Sequence, residues 1–151
     1  MKQFRAFVTT ETKKNAFNYS IQKKSLTDLP NSDLLIRVKY SSLNYKDALS
    51  ATGNKGVTKK YPHTPGIDAV GIVEDSKSKN FPVNSSVIVS GYDLGMNTLG
   101  GFSEYIRVPS NWVVIKPSLL SSKDSMASGT AGLTAGLCIK AIEEKKYIKG
   151  I

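Results

Sequence analysis

The 151-residue chain has one cysteine, Cys138, and one histidine, His63. A single cysteine excludes an internal disulfide. One residue of each kind leaves too few ligands for a zinc site of the usual Cys/His type, so no metal is expected. A Ser–His–Asp device would have to use His63 itself, and no nucleophile elbow is written near it. Arginine is also scarce: Arg5, Arg37 and Arg107 are three of 21 basic residues, and the others are lysines spread singly or in pairs. Nucleic-acid-binding chains gather basic residues on one element, whereas Lys13-Lys14, Lys23-Lys24, Lys59-Lys60 and Lys145-Lys146 fall in different segments. The net charge of +9 therefore reads as a solvated surface, and no nucleic acid is expected as a partner. No apolar run approaches the ~20 residues of a membrane helix, and Met1-Lys2-Gln3-Phe4-Arg5 lacks the apolar core of a signal peptide. That predicts a cytoplasmic protein with no membrane contact. A G-x-G-x-x-G between strand and helix is missing, as is a Walker motif; Gly129, Gly132 and Gly136 have other spacing and follow a helix.

What is present is β-pattern followed by helix. Phe4–Thr9 and Ala16–Gln22 alternate apolar and polar residues, with a polar hairpin loop at Glu11–Asn15. Leu29-Pro30-Asn31-Ser32-Asp33 is turn chemistry leading into a strand over Leu34–Tyr40. Ile67–Glu74 reads as a strand whose internal Gly71 marks a bend or a close backbone approach. Further short strands are expected at Val87–Val89, Phe102–Val108 and Trp112–Ile115, with Asn84 as a left-handed turn residue and Gly91–Gly101 as a long surface loop. The first ~117 residues thus predict a compact, partly open barrel or sandwich. From Ser121 the texture changes. Ser121-Ser122-Lys123-Asp124 fits a capping box for a short helix through Ala127, which breaks at Gly129-Thr130-Ala131-Gly132. A longer helix follows, with Leu133, Leu137, Ala141 and Ile142 at helical spacing, Cys138 on its packed side, and Lys145, Lys146 and Lys149 at its negative end.

The residues with chemistry to offer gather at the corner Ser41-Ser42-Leu43-Asn44-Tyr45-Lys46-Asp47, between a strand and a short helix over Asp47–Ala51. Such a corner is held by its scaffold yet open to a ligand. A stiff second corner, Pro62-His63-Thr64-Pro65-Gly66, precedes Asp68, an acid in an apolar strand opening. Burial there requires hydrogen bonds, expected from loop N–H groups. His63 and Asp68 read as structural, with His63 bracing the Pro62–Pro65 corner.

Five segments in order resemble one family: the corner itself, Tyr61-Pro62-His63-Thr64-Pro65-Gly66-Ile67-Asp68, Gly91-Tyr92-Asp93-Leu94-Gly95-Met96, Gly100-Gly101-Phe102-Ser103-Glu104-Tyr105, and Gly129-Thr130-Ala131-Gly132-Leu133-Thr134-Ala135. The family is the zinc-independent medium-chain dehydrogenase/reductases of the YhdH/YhfP quinone oxidoreductase and acryloyl-CoA reductase type. The resemblance implies a mainly β, GroES-like partly open barrel over residues 1–120 and C-terminal helices over 121–151 that lead into a Rossmann domain. It implies an NADPH-dependent enzyme that reduces an activated double bond or a quinone, a small-molecule substrate. It places Tyr45 beside the nicotinamide, Asn44 lining the cleft as a second catalytic residue, and Thr130 at the cofactor, while Lys46 and Asp47 hold the corner in shape. Asn84-Ser85 stand where the family usually has Gly-Asp, and asparagine tolerates that backbone. The sequence ends where the family's glycine-rich phosphate loop is due. The chain is therefore expected to bind NADPH poorly and to be inactive alone, with its trailing helix loose or held against a second copy in a homodimer. The alternative expectation is a free-standing GroES-like binding or assembly module from a truncated gene.

Overall fold

Residues 2–145 are described by the computed structural model, in which apolar–polar alternation builds seven strands and two helices. β1 (Gln3–Lys13) and β2 (Ala16–Ser25) form an antiparallel hairpin that turns through Asn15, at φ 62°. Both strands run further than their apolar alternation, because the ladder continues to a Lys13–Ala16 pair and draws the polar Glu11–Lys13 into the strand. β3 (Leu34–Tyr40), β4 (Asp68–Ser76), β5 (Ser86–Ser90), β6 (Tyr105–Val108) and β7 (Val113–Ile115) form an antiparallel sheet in the order β6-β3-β4-β5-β7. The hairpin is stitched to that sheet's loops by backbone bonds from Phe7 N–H to Phe102 O (2.8 Å) and from Glu104 N–H to Arg5 O (3.0 Å). Thr9 and His63 exchange both of theirs, at 2.8 and 2.9 Å. The two sheets do not close, which matches the expected partly open GroES-like barrel. Residues 102–104, expected in a strand, instead bond to β1 irregularly, with the Ser103 hydroxyl turned onto the Gly100 and Tyr105 carbonyls.

One core packs Leu34, Ile36, Val73, Val87, Val89, Ile106 and Val108 within the sheet. A second packs Phe4, Ala6, Val8, Leu35 and Tyr105 beneath the hairpin. Leu34 and Leu35 are therefore both buried although they point to opposite faces, since that end of β3 is covered on both sides. Gly71 lies where β4 meets β3 closely: a Cβ there would run into the Arg37 carbonyl and come within 2.7 Å of Ile36 Cγ2. The Gly91–Gly101 segment is not the surface loop expected. Leu94 is fully buried, and the backbones of Gly95 and Gly100 press on Pro65–Gly66 where no side chain would fit.

α1 spans Tyr45–Ala51, two residues longer at its start than expected, because the Asp47 carboxylate accepts the Asn44 N–H at 2.7 Å and caps the first turn. α2 spans Ser122–Glu144 and is capped by Ser121, whose Oγ accepts the Asp124 N–H at 3.0 Å. The expected break is a single kink at Gly129 (φ 49°, ψ −156°), after which the helix resumes at once. Its first turns bury Ser125, Met126 and Gly129, whereas Leu133, Leu137, Ile139 and Ile142 are between 45% and 58% exposed. Cys138 is also exposed, against the packed position expected for it: helical spacing marks an apolar side, but nothing among the described residues covers that side. The expectations for Lys146 and Lys149 lie outside the described residues. No described helix is long and apolar enough to cross a membrane.

The two glycines Gly71 and Gly136 should respond differently to alanine. Gly71→Ala forces the β3 backbone away and should lower stability by about 2 kcal/mol in urea unfolding. Gly136→Ala meets nothing within 4 Å on α2. It should leave the urea midpoint unchanged or higher while raising helical circular dichroism, since alanine gains up to ~1 kcal/mol over glycine in a helix.

Candidate functional site

Strand β3 ends at Tyr40, and the chain turns through Ser41–Asn44 before α1 begins. The turn is tied to Asp68, the first residue of β4, which is fully buried. Ser41 Oγ donates to the Asp68 main-chain carbonyl at 2.6 Å. The carboxylate takes four further donors: Ser42 Oγ (2.6 Å), Asn44 Nδ2 (2.9 Å) and the Thr130 N–H (2.9 Å) on Oδ2, and Thr130 Oγ1 (2.6 Å) on Oδ1. Gly129 makes this approach workable: a Cβ there would come within 2.6 Å of Ser42 Oγ and 2.8 Å of Asp68 Oδ2, and its positive φ aims the Thr130 N–H at the acid. Burial alone would push the Asp68 carboxyl up. The bonds from Ser42, Thr130 and Asn44 outweigh it, and the group is held below its ordinary 3.8.

A second buried carboxylate backs the first. Asp47 accepts the N–H groups of Gly66 (3.1 Å) and Ile67 (2.9 Å) on one oxygen, and Asn44 N–H (2.7 Å) and Nδ2 (3.3 Å) on the other. Asp47 thus holds the corner, as expected, and Asn44 links the two acids. Tyr45 has no such tie. Its side chain is 80% exposed, and its phenol makes no hydrogen bond among the described residues. Asn44, its chain neighbour, and the Thr130 N–H share the single oxygen Asp68 Oδ2, so two of the three expected site residues meet on one acid and the Tyr45 side chain does not join them. His63 is 97% buried by its 3% exposure and braces its corner through the paired backbone bonds with Thr9.

Sequence reasoning missed Ser42 and underrated Asp68. Only one of the donors to the carboxylate is a backbone N–H, where loop N–H groups were expected; the rest are side chains 24 to 62 residues away. The available signal was a carboxylate set in an apolar run facing a Ser-Ser-x-Asn segment. Beside the corner runs an apolar groove of about 630 Å³ between the sheet and α2, with Gly129 on its wall. Ile88, Val114, Leu133 and Leu137 line it, and the Tyr92 and Trp112 rings stack in it at 5.5 Å.

Asp68→Asn turns one acceptor into a donor facing donors and should lower stability at pH 7 by about 3 kcal/mol. The folded-state pKa is depressed, so the stabilisation is complete above 3.8 and is lost as the pH falls through the folded value. Urea unfolding of both proteins should therefore show the gap narrowing below that pH.

Residues 30–118 match the Alcohol dehydrogenase GroES-like domain family. YhfP of Bacillus subtilis, named for quinone oxidoreductase, is 40% identical over 140 residues, which are 91% of this chain and 42% of that protein. The acrylyl-CoA reductase AcuI of Ruegeria pomeroyi is 38% identical over 131 residues, 87% of this chain and 40% of that protein. Among solved structures, the yhdH oxidoreductase of Salmonella enterica in complex with NADP superposes with a TM-score of 0.88 at 38% identity, covering 93% of this chain and 43% of that one. Bacillus subtilis yhfP with NAD bound gives 0.91 at 36%, covering 97% and 44%. The chain thus spans about two-fifths of the length of the relatives it matches. It belongs to the alcohol dehydrogenase GroES-like domain family, on the branch of the quinone oxidoreductases and acrylyl-CoA reductases.

Proposed function

We propose that residues 1–120 are the catalytic domain of an NADPH-dependent oxidoreductase that reduces an activated double bond, as in an acryloyl-CoA-like enoyl thioester, or a quinone. Residues 121–151 are then the passage toward a Rossmann domain, with α2 its described part. The observation that carries this reading is the pairing of a rigid corner with a free phenol: Asp68 and Asp47 immobilise the backbone on either side of Tyr45, whose hydroxyl is left unbonded and open.

The donor set fits a nicotinamide. Thr130 Oγ1 already donates its hydrogen bond to Asp68, so toward a carboxamide it acts as an acceptor for the amide NH2. Asn44 Nδ2 is likewise committed to the two acids, leaving Oδ1 to accept. Tyr45 is the free donor of the three. Placed against a substrate oxygen, a phenol stabilises charge that builds there as hydride adds to the conjugated carbon. The hydride is the nicotinamide's own chemistry; the protein supplies orientation and donors. The sequence carries no glycine-rich phosphate loop, so these 151 residues alone should bind NADPH weakly and turn over little.

Joining residues 1–145 to the nucleotide-binding portion of YhfP tests this. The chimaera should oxidise NADPH, followed at its absorbance maximum, only when an enoyl thioester or a quinone is added. Tyr45→Phe should then lower kcat about 100-fold while KM changes little, the behaviour of a donor used mainly in the transition state. Tyr45→Phe with unchanged kcat would remove the phenol from the chemistry.

A further inference from the structure

The one imidazole of the chain sits in an unusual place. His63 is 3% exposed, and its Nε2 is buried with no hydrogen-bond partner. Most buried polar atoms in folded proteins are partnered, so an orphan of this kind asks for a reason. Its backbone, by contrast, is fully used. The Thr9 N–H donates to His63 O at 2.8 Å and the His63 N–H to Thr9 O at 2.9 Å, the bridge that fastens β1 to the loop before β4. The Thr9 hydroxyl extends that fastening to α1 by donating to the Ala51 carbonyl at 3.2 Å. Gly66 and Ile67 follow in the same loop, and their N–H groups hold Asp47, which in turn caps Asn44. One short buried segment therefore connects the hairpin to the corner that carries Tyr45.

We propose that His63 is a proton-operated fastener: neutral, it locks the β1–β2 hairpin onto the Tyr61–Ile67 loop, and protonated, it releases that junction and loosens the Tyr45 corner. The neutral ring accepts burial with Nε2 unbonded. The charged ring would place a buried N–H bearing charge against no acceptor, which is far more unfavourable. Relief has to come from movement of the loop that carries the ring, and that loop is fastened at His63 itself by the backbone bridge with Thr9.

The groups around the ring leave this balance intact. Tyr61, on the same loop, meets the imidazole edge-on with ring centroids 6.4 Å apart and offers no charge to stabilise it. Asp93, on the loop of residues 91–101, favours the charged form, but its carboxylate already accepts from Asn97 Nδ2 (2.9 Å) and Thr98 Oγ1 (3.1 Å). On β1, Glu11 is taken up by Lys55 at 2.5 Å, and the same Lys55 lies 4.9 Å over the Tyr61 ring. Burial is the largest influence on the ring and drives its pKa below the ordinary 6.5, with a hydrogen bond from the ring to the Gly95 backbone and the charge of Asp93 opposing it. A depressed folded-state pKa means that the unfolded junction binds the proton more readily. The stabilisation is therefore whole above 6.5 and declines as the pH falls toward the folded value.

Because the chain has one histidine, its Hε1 proton resonance is unambiguous in NMR. Titrating the intact 151-residue chain from pH 8 to pH 4.5 should give an imidazole midpoint clearly below 6.5. Over the same range, amide exchange corrected for its intrinsic rate should speed up at Thr9 and His63. The increase should approach about tenfold per pH unit between 6.5 and that midpoint, while the Val87 and Ile106 amides in the sheet core stay protected. His63→Gln, which is neutral at every pH, should show no such acceleration at Thr9. A midpoint at or above 6.5, or Thr9 protection that is independent of pH in the native chain, overturns the proposal. The native titration alone decides it if the variant does not fold.

Discussion

The Asp68 carboxylate is the tie on which the arrangement depends. It accepts four hydrogen bonds from two elements: the Ser42 hydroxyl and Asn44 amide of the β3–α1 corner, and the N–H and hydroxyl of Thr130 on α2. A carboxylate offers about four lone-pair positions, so the group is saturated. Neither Asp68 nor Asp47 has a lysine or arginine partner among the described residues; the ion pairs, such as Lys2–Glu74 and Arg5–Glu104, lie at the surface. Fixed dipoles do the work instead. Asp47 stands at the start of α1, and Asp68 faces the first N–H of α2 after the kink, both places where helix dipoles favour negative charge. Such compensation is strict about position, since every donor must come from its own direction. A flexible lysine would have satisfied the charge while leaving the corner free to drift.

That strictness fixes the backbone that carries Tyr45, although its side chain is exposed. Nothing packs its ring, so its location is set by backbone alone: the capped first turn of α1 on one side and Asn44, bonded to both acids, on the other. Preorganising the main chain and leaving the side chain unengaged keeps the phenol's donor available while limiting where it can point. Thr130 has the opposite character. Its hydroxyl and its N–H are both engaged, so whatever it offers a ligand is a lone pair.

Much of this was legible in local pattern. The β3 strand, the α1 corner and the close approach at Gly71 follow from alternation, turn chemistry and a glycine inside a strand, whereas the hold of Asp47 on the corner was implied by the family resemblance. What was not legible is long-range convergence. The partners of Asp68 lie 26, 24 and 62 residues away, and no periodicity links Ser42 to Thr130. The Gly91–Gly101 segment misled because glycine suggests a loop, whereas here its lack of a side chain lets backbone press on backbone inside the protein. For α2, the spacing of Leu133, Leu137 and Ile142 identified an apolar side correctly, yet such spacing cannot say whether a partner is there to cover it, and Cys138 was misplaced for that reason.

The segment from His63 to Asp68 shows how little chain is needed to organise the site. Every residue in it is buried. One end pairs with the hairpin through His63, the middle N–H groups of Gly66 and Ile67 hold α1 through Asp47, and the other end holds the β3–α1 turn and α2 through Asp68. Its two titratable groups sit at opposite ends and change charge in opposite senses: acid adds charge at His63 and removes it at Asp68. Both changes are unfavourable in the folded state, the first because the imidazole is buried with its Nε2 facing no acceptor, the second because four donors lose the charge they were arranged around. Protons therefore act on the segment in two separate windows, below 6.5 at the hairpin end and below 3.8 at the helix end. Between those windows the helix end stays fastened while the hairpin end loosens, so the corner can gain freedom before the fold itself gives way.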